Sequence, residues 1–423
     1  MTIELVEVLL WNKTVGAAAL LANGSIEFNY DDNFISQGLE VAPFLAPLSF
    51  NVIKGKSGET YYGLPEFLAD SLPDKFGNAI IDAFFAKKGI DKFSLTALDK
   101  LSYVGNRAMG ALTFKPAEQV NNQPVHHDVL EIAGLVEQAR HALSGNLDAS
   151  PEDSLNAILS VGISAGGARA KAVIAYQPLT GEVRSGQVDA PKGFEHWLLK
   201  FDGVGEDLAL GVSQKYGRIE YAYFLMAKKA GVLMADSQLL KENGRAHFMT
   251  KRFDRVGNEK LHMQSLCAMA SLDFNLSGAH SYEQYFTTTQ NLTNDNSQVE
   301  QAILRCFFNI VSRNQDDHTK NLSYLMGKEG QWSLSPAFDV TYAFNPDNKW
   351  TRKHQMSLAG KVENFTVEDL IDSASAFITK AKASALLEKV NEAVSLWPEY
   401  ASEAGLESEE SQFISQNHQF MKL

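Results

Sequence analysis

The sequence predicts an α+β protein in which small sheets come first and a largely helical part comes last. Residues 3–30 alternate between apolar and polar side chains and carry turn pairs at Asn12-Lys13 and at Asn23-Gly24, an Asn-Gly pair, as in an antiparallel meander. Two further alternating segments, 235–240 and 245–252, flank a second Asn-Gly pair at Asn243. From residue 261 onward the apolar residues recur at helical spacing, most regularly over 297–313. These patterns favour sheet-rich parts followed by a helical lobe.

The elements before residue 160 suggest a separate N-terminal unit. Apolar residues at helical spacing over 64–88 are broken at Pro73 and Gly77, which predicts two short helices. Residues 101–114 return to strand and turn composition, and the polar segment 116–128 is the best candidate linker. Helices are expected over 129–143 and 153–159. We therefore divide the chain into an N-terminal α+β subdomain, a small sheet-rich lobe with a glycine-rich loop, and a helical lobe, with the bounds 1–120, 121–250 and 251–423.

Composition limits the function classes. The 423 residues are 45% hydrophobic and 21% charged, as in ordinary globular proteins, and 38 Lys and Arg against 51 Asp and Glu give a net charge of −13. Such an acidic chain binds nucleic acid poorly by itself, so we expect any DNA contact to need a local basic patch or a basic partner. The two cysteines have no paired spacing, the N-terminus is acidic, and no apolar run is long enough for a membrane span. These features predict a cytoplasmic protein with no membrane contact.

A glycine-rich stretch over 160–176 leads into the strand-like run KAVIAY. Glycines at Gly162, Gly166 and Gly167 let backbone N–H groups approach phosphate oxygens, and Arg169 and Lys171 add positive charge. The stretch is not a Walker A loop, because ARAK follows Gly167, and it does not fit G-x-G-x-x-G. It is either a phosphate-binding turn or an ordinary tight turn.

The next strand, 195–201, carries Lys200 inside an apolar run, and Glu220 is the only acid of the helix expected over 213–230. In protein kinases, a lysine on the strand after the glycine-rich loop pairs with nucleotide phosphates and with a glutamate on the following helix. The alternative is a lysine at a sheet edge with its head in water and a solvated glutamate. The segment 251–253 then joins the two lobes, where a kinase offers backbone hydrogen bonds to adenine; it could instead be a salt-bridged strand end.

The densest polar motif is RNQDDHTKN over 313–321, at the end of the apolar helix 297–313. Protein kinases place their catalytic-base Asp five positions before an Asn that holds magnesium. Asp316 and Asn321 have that spacing, whereas Asp317 is one residue too close. We therefore interpret Asp316 as the base and Asp317 as its neighbour.

A second acidic residue is expected to return to this loop. The alternating runs LSYLM and QWSLS predict a hairpin around Gly327 and Gly330, which would bring Asp339 of the motif SPAFDV beside Asn321. One Asp, one Asn and nucleotide phosphates form a sufficient ligand set for magnesium. The alternative is a turn rich in Asp and Asn whose side chains bond their own backbone.

These motifs occur in the order found in the HipA family, the serine/threonine kinase toxins of bacterial toxin–antitoxin modules, and the chain resembles that family over nearly its whole length. The resemblance implies a divergent protein-kinase fold of two lobes with an added N-terminal subdomain. The stretches that carry it are FLADSLPDKFGN, YVGNRAMGAL, SAGGARAK, HWLLKFDG, KRFDR, NQDDHTKN and SPAFDV.

The resemblance also implies roles for individual residues. Catalysis would use Asp316 as base with Lys200 on the nucleotide, and magnesium would be held by Asn321 and Asp339. Autophosphorylation would occur on Ser164, where two added negative charges beside the phosphate site would inhibit. Asp317 stands where the family often has glycine, and could either disturb the loop or assist metal binding. The remaining ATP-binding residues would be Gly166, Gly167, Ala168, Arg169, Ala170, Lys171, Lys251, Arg252, Phe253, His318, Thr319 and Lys320.

The leading hypothesis is an ATP- and Mg²⁺-dependent serine/threonine protein kinase acting as a toxin. The resemblance implies a protein substrate, with aminoacyl-tRNA synthetases as the expected targets, and a small helix-turn-helix antitoxin through which DNA would be contacted indirectly. A second hypothesis is a weakly active or inactive kinase-fold module that acts as a corepressor with this antitoxin. A third is a small-molecule kinase on the same fold.

Overall fold

The computed structural model describes residues 3–73, 75–117, 130–143, 169–202, 204 and 215–422. It confirms the α+β fold, with sheets in the first and middle parts and helices in the last. The expected helix over 153–159 and most of the proposed linker over 116–128 lie outside these ranges. The division of the chain at residues 120 and 250 stays a prediction.

The N-terminal part is built on the predicted meander. Its five-stranded sheet has the order β4-β3-β2-β1-β5, and every neighbouring pair is antiparallel. The first turn falls at Trp11 and Asn12, which have φ of 48° and 63°, one residue earlier than the expected Asn12-Lys13 pair. The strands are β1 (Leu5–Leu10), β2 (Lys13–Leu20), β3 (Ile26–Tyr30), β4 (Ile53–Lys54) and β5 (Leu112–Lys115).

The helices of this part correct two expectations. The predicted break at Pro73 separates two helices, but Gly77 lies within the second helix and does not break it. Residues 97–104, expected partly as strand, form a helix because Thr96 and Asp99 make a capping box at its start. The α-helices are Asp32–Ile35, Glu66–Ala69, Lys75–Lys87 and Ala97–Val104, with a 3₁₀ turn at Lys92–Ser94.

The middle part is a five-stranded antiparallel sheet, in the order β7-β6-β8-β10-β9, with one helix packed close to it. The predicted hairpin at Asn243 is confirmed as β9 and β10. Gly217 lets the helix Tyr216–Ala230 start against the sheet, because a Cβ there would stand 2.2 Å from the Ala246 carbonyl oxygen. The strands are β6 (Lys171–Tyr176), β7 (Val183–Ser185), β8 (Glu195–Lys200), β9 (Ser237–Glu242) and β10 (Arg245–Lys251), and the helix Ile132–Leu143 precedes them.

The last part is mainly helical, with short strands that shape its loops. The hairpin predicted around Gly327 and Gly330 is confirmed as β15 and β16. The strands are β11 (Arg255–Val256), β12 (Glu259–Lys260), β13 (His262–Ser265), β14 (His280–Ser281), β15 (Ser323–Met326), β16 (Trp332–Leu334) and β17 (Met356–Ser357). The α-helices are Leu266–Met269, Tyr282–Thr293, Asn296–Ser312, Val367–Ser375, Lys380–Ser395, Trp397–Ala404 and Ser408–Asn417.

One expectation for this part was wrong. Residues 262–265, expected to open a helical stretch after residue 261, form β13 because they pair with β15, and only the short helix Leu266–Met269 follows them before β14. The last two helices add to the core, since Ala401 and Ile414 are fully buried.

Three large hydrophobic cores, among the residues that the structure describes, hold these parts together. One fills the helical part around the helix Asn296–Ser312. A second fills the N-terminal part and includes Cys267 and Met326 from the helical part. The third lies between the helix Lys75–Lys87 and the middle sheet. The N-terminal part therefore packs against both of the others. Both cysteines are buried and unpaired. Among the helices of the described ranges, we find none with the length and apolar character needed to cross a membrane.

A buried histidine at one of these contacts makes stability depend on pH. His262 is 1% exposed and its Nε2 lies 3.1 Å from the Val41 carbonyl oxygen. Burial lowers the pKa of His262 from 6.5 to about 4, against the raising effect of the Val41 contact. Between these values the unfolded chain is protonated at this residue and the folded chain is not, so stability falls as pH decreases from 6.5.

We expect His262→Gln to lose less stability on acidification than the unchanged protein. The histidine contribution is about 2 kcal/mol between pH 6.5 and 5, at about 1.4 kcal/mol per pH unit. Urea unfolding of both proteins at pH 7 and pH 5 measures the difference, since the other histidines are common to both. Equal losses in the two proteins would contradict the burial argument.

Candidate functional site

A cleft lies between the middle sheet and the helical part. It encloses about 1050 Å³ including its open mouth, and Leu198, Phe248 and Met263 give it apolar walls. Clefts with apolar walls and a few converging polar groups are the usual sites for cofactors. The residues predicted from sequence that line it are Lys171, Lys200, Lys251, Arg252, Phe253, Lys320, Asn321 and Asp339.

Three charged side chains meet in this cleft. Lys200, at the end of β8, has its Nζ 2.5 Å from Glu220 Oε1 and in direct contact with Asp339 Oδ1. Glu220 comes from the helix Tyr216–Ala230, and Asp339 from the loop after β16. The Lys200–Glu220 pair that the sequence left open is therefore formed. Together with Asp339, this pair connects the middle sheet, the helix Tyr216–Ala230 and the helical part.

The ionisation of these groups follows from burial and charge. Burial opposes the charge on Lys200, but Asp339 and Glu220 together raise its pKa. Burial likewise opposes ionised Asp339, yet Lys200, Lys171 and Arg169 lower the pKa of that carboxyl well below its usual range. Burial raises the pKa of Glu220, and Lys200 only partly offsets it. Asp339 is thus the firmly ionised acid of the group.

Two further cations lie beside the triad. Lys171 is the cross-strand neighbour of Lys200 in the β6–β8 register and is buried. Arg169 Nη1 is 3.9 Å from Glu220 Oε2, and its guanidinium lies over the Tyr216 ring at 4.3 Å. Ala170, predicted to contact ATP, is instead packed in the core under the sheet. Ser164, Gly166, Gly167 and Ala168 lie outside the described residues.

The loop after the helix Asn296–Ser312 alternates in burial. The helix ends at Arg313, whose φ of 62° turns the chain into the loop. From residue 315 to residue 320, odd-numbered residues are buried and even-numbered ones are partly exposed. A period of two is what an extended chain gives. Asp316, His318 and Lys320 therefore point outward, whereas Gln315, Asp317 and Thr319 point into the protein.

This alternation determines where two of the predicted residues lie, Thr319 inside the protein and His318 beside Asp316. The Thr319 hydroxyl is buried and donates to the Leu272 carbonyl oxygen at 2.6 Å, so it does not line the cleft. His318 lies beside Asp316, with 3.7 Å between His318 Nε2 and Asp316 Oδ1. Although the Asp316 side chain is partly exposed, the protein around its cavity raises its pKa by desolvation; Asp339 and Asp317 add to this, and His318 opposes it.

Asn321 and Asp339 come together as the hairpin predicts. Both line the cleft, and with Asp316 both line a smaller adjoining cavity. The Asn321 Nδ2 donates to the Asp316 carbonyl oxygen at 2.8 Å, which leaves its Oδ1 as the atom that a cation could contact. Within the described ranges, no three His, Cys, Asp or Glu side chains cluster as a metal site. An Asp, an Asn and phosphate oxygens nevertheless fit magnesium, which keeps several waters.

The segment joining the lobes offers few unused amides. The Lys251 N–H donates to the Asp236 carbonyl oxygen at 2.8 Å, and the Arg252 N–H to the His196 carbonyl oxygen at 2.9 Å. The Phe253 ring packs against Phe338, with 5.5 Å between centroids. Of the three predicted adenine-binding residues, Phe253 is therefore the one whose N–H is not used by these sheet contacts.

Sequence reasoning missed the contribution of the N-terminal part. Asp70, Ser71 and Met109 line the cleft. Asp70 accepts hydrogen bonds from the Ser265 N–H at 2.7 Å and from the Ser265 hydroxyl at 2.6 Å. No local pattern could reveal these contacts, because the partners are 195 residues apart.

A buried acid next to the cleft holds the joining segment. Asp254 is 0% exposed and accepts from Arg252 at 2.6 and 2.9 Å, from Arg255 at 2.7 Å and from the Gly110 N–H at 2.8 Å. Burial opposes its charge, but Arg252 and Arg255 lower the pKa of Asp254 well below its usual range. Arg252, which lines the cleft, is fixed in this way to the N-terminal part.

We expect Asp254→Ala to lower the free energy of unfolding by about 3–5 kcal/mol, because it leaves two largely buried guanidinium groups without their carboxylate. Urea unfolding measures the loss. Asp347→Ala, which removes an exposed carboxylate, is the control and should change stability by no more than about 0.5 kcal/mol. A loss from Asp254→Ala as small as the control would contradict this role.

Comparison with known proteins identifies the fold and the family. The chain matches the protein-family model described as HipA N-terminal domain over residues 6–115 and the one described as HipA-like C-terminal domain over residues 163–397. It superposes on HipA from the HipA, HipB and operator DNA complex of the Shewanella oneidensis MR-1 toxin–antitoxin system. That match has a TM-score of 0.66 at 13% identity and covers 97% of this chain and 94% of the other.

A second solved structure, the Helicobacter pylori proinflammatory kinase CtkA, aligns at 10% identity over 52% of this chain and 84% of its own, with a TM-score of 0.34 that is too low to carry an argument. The HipA-like C-terminal model alone spans more than half of the chain, and the Shewanella fold extends over nearly all of it. The chain belongs to the HipA-type toxin family.

Proposed function

We propose that this chain is an ATP- and Mg²⁺-dependent serine/threonine protein kinase. The observation that carries the proposal is the buried triad of Lys200, Glu220 and Asp339 in a cleft shared with Asn321 and adjoining Asp316. Protein kinases use this set, with a lysine paired to a helix glutamate, an Asp and an Asn for magnesium, and an Asp as base.

The charges of the cleft suit a polyphosphate. Arg169, Lys171 and Lys200 all act on Asp339, so three cations surround the acid beside which phosphate groups would bind. The apolar side chains Leu198, Met109 and Phe248 provide walls for a base, and the Phe253 N–H is the backbone donor that the sheet leaves for it. When bound, magnesium would neutralise charge on the phosphates, held by the oxygens of Asn321 and Asp339.

Asp316 is placed to accept a proton from an acceptor hydroxyl. It points out of the loop toward the cavity shared with Asn321 and Asp339. In this reaction the hydroxyl oxygen forms a bond to the γ-phosphorus, the bond from that phosphorus to the bridging oxygen breaks, and ADP leaves. The Asp316 carboxylate takes the hydroxyl proton, and positioning with charge stabilisation supplies most of the catalysis.

We expect Asp316→Asn to lower the rate of phosphate transfer by about 10²–10⁴, the usual contribution of a general base, because an amide cannot accept the proton. Transfer from γ-labelled ATP with Mg²⁺ to the protein itself and to lysate proteins measures this. Asp347→Asn, an exposed carboxylate, is the matched control and should transfer as the unchanged protein does. Comparable turnover by Asp316→Asn would remove Asp316 from the role of base.

We assign the family's remaining properties to this chain as part of the same proposal. Its proposed protein substrate is an aminoacyl-tRNA synthetase, and Ser164 is the proposed site of autophosphorylation. The chain acts in the cytoplasm as a toxin. Mass spectrometry of the protein after incubation with ATP, followed by peptide mapping, tests Ser164.

A second candidate function is assembly with a DNA-binding antitoxin. The Shewanella protein whose fold extends over 97% of this chain was solved with HipB and operator DNA. A net charge of −13 makes direct DNA binding unfavourable, so a helix-turn-helix partner would supply the basic surface. Co-purification with such a partner and a salt-sensitive DNA mobility shift test this role separately from phosphate transfer.

A further inference from the structure

The two residues that flank Asp316 both point away from the cleft. Gln315 is 0% exposed and Asp317 is 2% exposed, while the Asp316 side chain between them is 47% exposed. The outward position of Asp316 therefore depends on what holds its neighbours inward.

Asp317 accepts hydrogen bonds from two separate parts of the fold. The Tyr282 hydroxyl donates to its Oδ2 at 2.6 Å, the His354 Nδ1 lies 2.7 Å from the same oxygen, and the Gln355 N–H donates to its Oδ1 at 2.7 Å. Tyr282 begins the helix Tyr282–Thr293. His354 and Gln355 belong to the segment 345–357, which follows Asp339 along the chain and ends in β17.

Gln315 holds the same segment. In the amide orientation that satisfies both partners, its nitrogen donates to the Thr351 carbonyl oxygen at 2.8 Å and its oxygen accepts from Arg313 Nη1 at 3.0 Å. The two sequence neighbours of Asp316 thus both bond the same segment, Gln315 at Thr351 and Asp317 at Gln355. The loop with the proposed base and the segment after the proposed metal-holding Asp form one unit.

The Asp317 contacts continue into a buried hydrogen-bonded chain. The Tyr282 hydroxyl that donates to Asp317 also accepts from Asn309 Nδ2 at 3.0 Å, and Asn309 Oδ1 accepts from Asn314 Nδ2 at 2.9 Å. A buried carboxylate is unfavourable unless donors surround it. A carboxylate can accept several such bonds at once, whereas glycine at this position offers no side-chain acceptor.

We propose that Asp317 is a positioning residue, which holds Asp316 in its outward orientation and fixes the segment 351–355 beside it. The inference rests on the proposed kinase function and deepens it. In protein kinases, order in the segment after the metal-holding Asp controls activity. None of these hydrogen bonds involves Lys200, Glu220 or Asp339. Loss of the Asp317 carboxylate therefore leaves ATP binding intact, while it impairs phosphate transfer by releasing Asp316 and the segment 351–355. Asp317 also lines the smaller cavity with Asp316, Asn321 and Asp339, but both of its carboxylate oxygens are engaged by Tyr282, His354 and Gln355.

The test compares Asp317→Ala, Asp317→Asn and the unchanged protein, with Asp347→Ala as the control in the same segment. Hydrogen exchange of the peptides over 345–357, affinity for a non-hydrolysable ATP analogue with Mg²⁺, and kcat for phosphate transfer are measured on each. We expect Asp317→Ala to lose protection at Gln355 and to lower kcat by about ten- to a hundredfold, as small misplacements of reacting groups do. Its ATP affinity should be unchanged.

Asp317→Asn should give exchange and kcat values between those of Asp317→Ala and the unchanged protein, because its Oδ1 can still accept from the Gln355 N–H. It also provides the test if the alanine variant does not fold. Unchanged exchange over 345–357 in Asp317→Asn or Asp317→Ala, or unchanged kcat with an active parent protein, would overturn the inference. A loss of ATP affinity equal to the loss in kcat would also overturn it. If the parent protein transfers no phosphate, the proposed function fails, whereas the exchange result still decides whether Asp317 holds the segment.

Discussion

The architecture depends on the contact of Lys200 with Glu220 and Asp339. Each of the three residues comes from a different element, namely β8, the helix Tyr216–Ala230 and the loop after β16. Glu220 is 2% exposed and Lys200 is 7% exposed, and buried charges are tolerated only when they are paired with good geometry. The pairing therefore sets how the middle sheet, its helix and the helical part meet. Asn321 and Asp316 share the resulting cavities with Asp339, so the geometry of the whole candidate site follows from this contact.

The N-terminal part is a structural component of the cleft. Asp254 connects the joining segment to Gly110, Asp70 bonds Ser265, and Met109 contributes to the cleft wall. The Gly110 N–H and the Asp70 carboxylate would each lose a hydrogen bond across this boundary if the N-terminal part undocked, which favours the docked arrangement. The cleft of this protein is thus formed by three parts of the chain, whereas the kinase pattern recognised from sequence involves two.

Much of the site could be predicted because its signals are local. The five-residue spacing of Asp316 and Asn321, the hairpin before Asp339 and the lysine in the strand 195–201 each lie within a short stretch. What failed depended on tertiary contacts. The strand β13 exists because β15 pairs with it, and Asp70 reaches the cleft across 195 residues. Thr319 was expected in the site from the family resemblance. The sequence does not show that the chain changes from helical to extended alternation at Arg313, which turns Thr319 inward and also gives Asp317 its buried contacts.

The most direct test of the central claim is calorimetric titration of a non-hydrolysable ATP analogue with and without Mg²⁺, for the unchanged protein and for Asp339→Asn. If the triad and Asn321 form a magnesium–nucleotide site, the unchanged protein binds the analogue more tightly with Mg²⁺ and the variant loses that gain. An affinity that does not depend on Mg²⁺ in the unchanged protein, or a gain that survives in Asp339→Asn, would contradict the assignment of this cleft as the site of phosphate transfer.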